Sequence, residues 1–219
     1  MLLLAYYFLL RPGEYAFSAT ADATPFRIRH VHFFHSHRQL HWQTATQLKW
    51  NGVTKVALEF DRKKNGVRGE MVGLAPSGHD SWCPVKVLVR RVTALRQQGA
   101  TLDTPLYAYK NTTNQWAAVT PKDLTAYLRA AAVATRHVDH ARSHEVSARS
   151  LRASGAMALL CAGVDPTLIQ LFGRWRSTEM LRYLHVQSVP VTNAFSPAML
   201  RHGNFSMIPS TDAPPQEPN

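Results

Sequence analysis

An α+β domain, mainly helical with a small antiparallel sheet, is the fold class this sequence predicts. Helical periodicity dominates from Pro84 onward, most clearly in Pro84 to Gln98, where Val85, Leu88, Val89, Val92 and Leu95 fall on one face. Two-residue alternation is confined to the first half, where an Asn65-Gly66 dipeptide, a strong hairpin-turn signal, separates two strand-like runs. A chain of 219 residues suits one sizeable core plus a tail.

The elements follow in order. The opening MLLLAYYFLL lacks a basic leader and a small-residue cleavage site, and it is too short to span a bilayer, so it reads as a buried helix running into Arg11-Pro12-Gly13-Glu14. Phe26 to Phe33 alternates as a half-exposed strand does. Val53 to Phe60 and Val67 to Leu74 are two further strands, joined across Asp61 to Gly66. Pro84 suits the first position of the helix that runs to Gln98. Thr120-Pro121-Lys122-Asp123 reads as an N-cap, a first-turn proline and a capping acid, with Leu124, Leu128 and Ala131 continuing an apolar face. A third helix should contain Arg149 and Arg152 and end near Gly163, and Asp165-Pro166 should start a short helix that stops at Gly173. Beyond Ser188, the sequence predicts a short helix over Val191 to Leu200 and then a proline-rich end at Asp212 to Asn219 whose composition predicts disorder.

Composition narrows the partner. The 25 Lys+Arg against 14 Asp+Glu give a formal net charge of +11. That balance favours a polyanion, nucleic acid before membrane, because neither an amphipathic basic run nor a lipidation motif accompanies it. Two cysteines, Cys83 and Cys161, argue against a disulfide framework and for a reducing compartment. Five histidines crowd between His30 and His41, with His30 and His32 expected on one strand face. No cysteine or paired-carboxylate pattern completes a metal site there, so the preferred reading is a histidine-decorated exposed strand, or one facing DNA phosphates, and no metal or cofactor is expected.

The residues that carry chemistry lie toward the C-terminus. Ser150-Leu151-Arg152, Gly173-Arg174-Trp175 and Tyr183-Leu184-His185 set arginines and a tyrosine on successive short helical segments. A guanidinium fork can hold two non-bridging phosphate oxygens, and a nearby tyrosine hydroxyl can displace a sugar oxygen to leave a covalent phosphate ester. By pattern alone, Tyr183 between Met180, Leu181 and Leu184 would be a core residue; its distance from Arg152 and the Tyr-x-His ending reverse that preference. Tyr6, Tyr7, Tyr15, Tyr107, Tyr109 and Tyr127 read as structural.

The stretch from Arg149 to Val186 resembles the C-terminal signature of tyrosine recombinases, the phage-integrase family, and its wording is most similar to the branch carried by DIRS-type and Crypton mobile elements. Arg11 to Glu14 resembles the family's first arginine box. The resemblance spans Leu2 to Val186 and implies the DNA breaking-rejoining fold, with a catalytic domain over residues 1–187 and a tail over 188–219. It covers the catalytic domain only, so the family's N-terminal core-binding domain is expected to be missing from this chain.

What the resemblance implies for individual residues is specific. Tyr183 would be the nucleophile, forming a 3′-phosphotyrosyl ester, and Arg11 and Arg152 would stabilise the charge on the equatorial oxygens without a metal. A lysine on the hairpin would protonate the departing 5′-oxygen; Lys64 is the choice and Lys63 the runner-up, against a reading of both as solvated turn residues. Arg149 stands where the family often has histidine, and as a permanently charged group it is a poor general base. Counting back nine residues from Tyr183 puts Arg174 at the second histidine position; residue type points instead to Trp175. The implied partner is double-stranded DNA, met as a homo-oligomer (a synaptic tetramer), with no membrane and no small-molecule substrate. The implied location is the nucleus, or the cytoplasm in a prokaryote. Two other functions fit the same residues: a DNA-binding remnant without strand transfer, and a type IB topoisomerase-like relaxing enzyme.

Overall fold

The apolar opening segment forms helix α1 (Leu2–Tyr7), and its burial shows why those ten residues are so hydrophobic: Leu4, Ala5, Phe8, Leu9 and Leu10 are all inside. A computed structural model describes residues 1–19, 25–40, 52–60, 70–136, 138–177 and 180–181. α1 stops because Leu9 turns into the left-handed region (φ 49°) and Pro12 opens a new one-turn helix, α2 (Pro12–Tyr15). Tyr15 is fully buried and donates its hydroxyl to Ala148 O at 2.8 Å, which ties α2 to the approach of a helix far along the chain. Burial holds its phenol well above the usual tyrosine range.

The sheet has four strands, β1 (Val31–His35), β2 (Arg38–Leu40), β3 (Lys55–Phe60) and β4 (Glu70–Leu74), in the order β2-β1-β3-β4 and antiparallel throughout. Val31, Phe33, Val56, Leu58 and Val72 line its buried face. The β3–β4 pairing runs from Phe60↔Glu70 to Val56↔Leu74, so this hairpin encloses the segment 61–69, which lies outside the described residues.

The first strand starts later than its alternation suggests. His30 accepts a hydrogen bond at Nδ1 from Arg27 N (3.1 Å) and closes a 3₁₀ turn over Ile28–His30, so β1 begins at Val31. His30 and His32 therefore do not share an exposed strand face. His30 is buried edge-on to Phe26, and the half-buried His32 is held between Glu59 (2.7 Å) and Gln39 (2.8 Å).

Helix α3 (Pro84–Gln97) buries Val85, Leu88, Val89, Val92 and Leu95 as its periodicity requires. A second hairpin, β5 (Ala108–Lys110) with β6 (Trp116–Ala118), was not foreseen; three-residue strands are too short to show a period. Helix α4 (Pro121–Ala134) carries the expected capping box, with Thr120 Oγ1 accepting from Asp123 N (3.2 Å) and Asp123 Oδ2 accepting from Thr120 N (3.0 Å). α4 lies at the surface: Leu124 is buried, whereas Tyr127 is exposed, as is Tyr109 on β5, so neither is a core residue. Helices α5 (Ser150–Cys161) and α6 (Pro166–Gly173) complete the chain as described. Arg149 is the N-cap of α5 rather than part of it, and no described helix is long and apolar enough to cross a membrane.

α1 packs against both α3 and α5. The approach to α5 is close because Gly155 has no side chain there: a Cβ at that position would stand 2.3 Å from Tyr6 O. A small second cluster of Leu9, Ala156, Ile169 and Met180 joins α1, α5, α6 and the segment after it. Those contacts bring Arg11, which follows α1, toward Arg152 on α5.

Candidate functional site

The end of α6 organises the site. α6 starts on Asp165, whose Oδ1 accepts from Thr167 N (2.7 Å), and stops at Gly173, after which Arg174 adopts a left-handed conformation (φ 59°, ψ 38°). The turn leaves two successive carbonyls for side chains from elsewhere. Gly173 O accepts from Arg152 Nη2, and Arg174 O accepts from Arg11 Nη2 at 3.3 Å. Two arginines separated by most of the chain are thereby hydrogen-bonded to neighbouring backbone atoms.

Their settings differ. Arg152 is only 8% exposed, and its guanidinium lies 4.1 Å over the Trp175 ring. The same indole fills the space that a side chain on Gly173 would need: a Cβ there would fall 1.7 Å from Trp175 Cζ3. Arg11 has 55% of its side chain exposed. It caps α2, with its backbone N donating to Glu14 Oε2 at 2.7 Å and its Nη1 donating to Glu14 Oε1 at 3.3 Å.

Arg174 turns away from that pair of carbonyls. Its side chain is 7% exposed and makes four hydrogen bonds to described residues: Nη1 to Phe8 O (3.3 Å) and Phe172 O (3.2 Å), Nη2 to Leu9 O (3.2 Å) and Glu14 Oε2 (3.2 Å). Its guanidinium also stacks 3.9 Å over Phe60 at the end of β3. Among Arg11, Arg152, Arg174 and Glu14, three positive charges meet one carboxylate, an excess suited to an anion.

The other sequence candidates fall as follows. Arg149 is exposed, three residues before Arg152, and its helical backbone (φ −67°, ψ −26°) sets both side chains on one side of α5. Lys63, Lys64 and Tyr183 lie outside the described residues. The last described residues before Tyr183 are Met180, buried against Leu9, Ala156 and Ile169, and Leu181, which is exposed. Among the described residues no group of three or more His, Cys, Asp or Glu could hold a metal ion.

Sequence reasoning gave Glu14 no role of its own. The signal was present: an acid three residues after the residue that precedes a first-turn proline has capping-box spacing, which brings its carboxylate back to Arg11. No known protein-family model matches the chain, and neither does any curated protein.

Proposed function

We propose that this chain is the catalytic domain of a tyrosine recombinase, with the DNA breaking-rejoining fold, and that it cleaves and rejoins DNA through a phosphotyrosyl ester. The observation that carries the reading is the convergence of Arg11 and Arg152 on the successive carbonyls of Gly173 and Arg174, beside a net positive charge. Exposed Arg11 meets a non-bridging oxygen of the scissile phosphate first; Arg152, backed by Trp175, meets a second. Tyr183 Oη attacks phosphorus, releasing its proton to solvent water, as the bond to the 5′-oxygen breaks, and Lys64, or Lys63 in its place, gives that oxygen a proton. The ester retains the energy of the broken bond, so a 5′-hydroxyl from another strand reverses the step without a nucleotide cofactor. Arg149, lying beside Arg152, adds charge but accepts no proton.

A pool of nicked duplexes of randomised sequence, each losing its short 5′-hydroxyl strand after cleavage, tests the chemistry. Wild-type chain should leave a covalent adduct that survives denaturing electrophoresis, and Tyr183→Phe should leave none while binding duplex equally well. Arg152→Ala should slow adduct formation by about 10² to 10³, as loss of one oxyanion donor does. An adduct that persists in Tyr183→Phe would show that another residue is the nucleophile.

One observation favours a second reading, a DNA-binding remnant: Arg152 is largely covered, stacked on Trp175. A remnant would bind duplex with steep salt dependence and form no adduct with any member of the pool.

A further inference from the structure

Arg174 stands in a closed ring of interactions. Its Nη2 holds Glu14 Oε2; Glu14 accepts from both the backbone and the guanidinium of Arg11; and Arg11 Nη2 returns to Arg174 O. The terminal nitrogens of the guanidinium are engaged by protein acceptors. Its two terminal nitrogens already make four hydrogen bonds, one plane lies against Phe60, and 7% of the side chain reaches solvent. Presenting a fork to phosphate would mean giving up at least two of those bonds and uncovering the Glu14 carboxylate.

We infer that Arg174 is a positioning residue: it fixes the α1–α2 joint and Glu14 so that Arg11 points at a phosphate, and it does not contact the phosphate itself. The inference rests on the phosphodiester reading above and deepens it, because it removes Arg174 from the groups that touch DNA and makes its effect pass through Arg11. Three features of the joint fit that task. Arg174 holds the carbonyls of Phe8 and Leu9, where α1 ends; Leu9 is itself left-handed; and Arg11 follows two residues later. Without the clamp, the exposed Arg11 side chain keeps its charge but loses the anchored carboxylate that orients it.

A double-mutant cycle on duplex affinity, measured by fluorescence anisotropy over a range of salt concentrations, decides the matter. Arg174→Lys keeps the charge and can still reach Glu14, but one nitrogen cannot serve four acceptors. Glu14→Gln keeps an acceptor for Arg11 and removes only the charge, so it answers the same question should Arg174→Lys fail to fold. Either substitution should weaken binding on the order of tenfold when Arg11 is present and by less than about twofold in an Arg11→Ala background, a coupling normal for groups in one hydrogen-bond network. The slope of log affinity against log salt should fall by about 0.9, the signature of one lost phosphate contact, which a purely structural role would not change.

Equal losses in both Arg11 backgrounds would overturn the inference. A coupled cycle in a protein that traps no adduct would leave it standing and sink the recombinase reading alone. Additive losses in a protein that does trap adduct would do the reverse, and a chain without duplex affinity would sink both.

Discussion

Gly155→Ala probes the closest approach between α1 and α5, and its cost can be worked from the geometry. A Cβ at Gly155 would lie 2.3 Å from Tyr6 O and 2.5 Å from Leu9 Cδ2. The leucine methyl can rotate aside; the carbonyl belongs to a helix and cannot. Restoring an ordinary contact of 3.4 Å requires the two helices to part by about 1 Å. Overpacking of this kind costs about 1–3 kcal/mol, and the new alanine returns about 1 kcal/mol in helix propensity. Because the clash is with backbone, a net loss of about 1–2 kcal/mol is expected, which for a domain this size lowers Tm by about 2–8 °C. Calorimetry measures that directly. The same 1 Å separates Arg152 on α5 from the chain leading to Arg11, so adduct formation should fall on the order of 10²-fold, well beyond what the stability loss explains. Gly163→Ala is the control: Gly163 has φ 80° with open space around it, so alanine there costs about 1 kcal/mol of backbone strain without moving either helix. A Gly155→Ala protein as stable and as active as wild type would refute the claim that this contact sets the spacing of the two arginines.

Two further outcomes concern the end of α6. Gly173→Ala should drive the Trp175 ring from beneath Arg152, losing a cation–π contact worth about 0.5–2 kcal/mol along with the packing; a shift in denaturation midpoint matched by Trp175→Ala, and not adding to it in the double variant, would verify this. Asp165 is held below its ordinary value of 3.8 by hydrogen bonds from Thr167, first through the side chain and then the backbone. A depressed carboxyl stabilises the fold above its unfolded value and loses that contribution as pH falls through its folded one. Asp165→Asn caps α6 without titrating, so any advantage of wild type over Asp165→Asn in thermal melts should vanish as the pH drops below 3.8. A gap that stays constant down to strong acid would contradict the assignment.

The parts legible in the sequence are those fixed by neighbours along the chain. α3, α4 and α6 announce themselves through a proline at the first turn and, for α4 and α6, a side chain that caps the helix. The start of β1 was misplaced because a tertiary preference intervened: His30 serves Arg27 and the core rather than a strand face. For the site, Arg11 and Arg152 could be named from their local wording, but the direction of Arg174 could not. Arg174 takes a left-handed conformation that is uncommon for a non-glycine residue, and nothing in the order Gly-Arg-Trp declares it. The tie of Glu14 to Arg11 was legible as capping-box spacing, whereas its tie to Arg174, remote in sequence, was not.

That remoteness shapes how the protein comes to exist. The hydrogen bond from Arg11 to Arg174 closes a loop of 163 residues. A ribosome adding about 5–20 residues per second needs roughly 8–33 s to travel that far. For most of that interval, until α5 is made, the Leu2–Leu10 segment lacks its α5 packing, and it is among the most apolar stretches of a strongly basic chain. Nascent chains should therefore lean on chaperones at that segment, and fragments released early would present a sticky helix and no assembled arginine pair. Arg11 and Arg152 reach the successive carbonyls of Arg174 and Gly173 only late, once α5 and α6 close over α1.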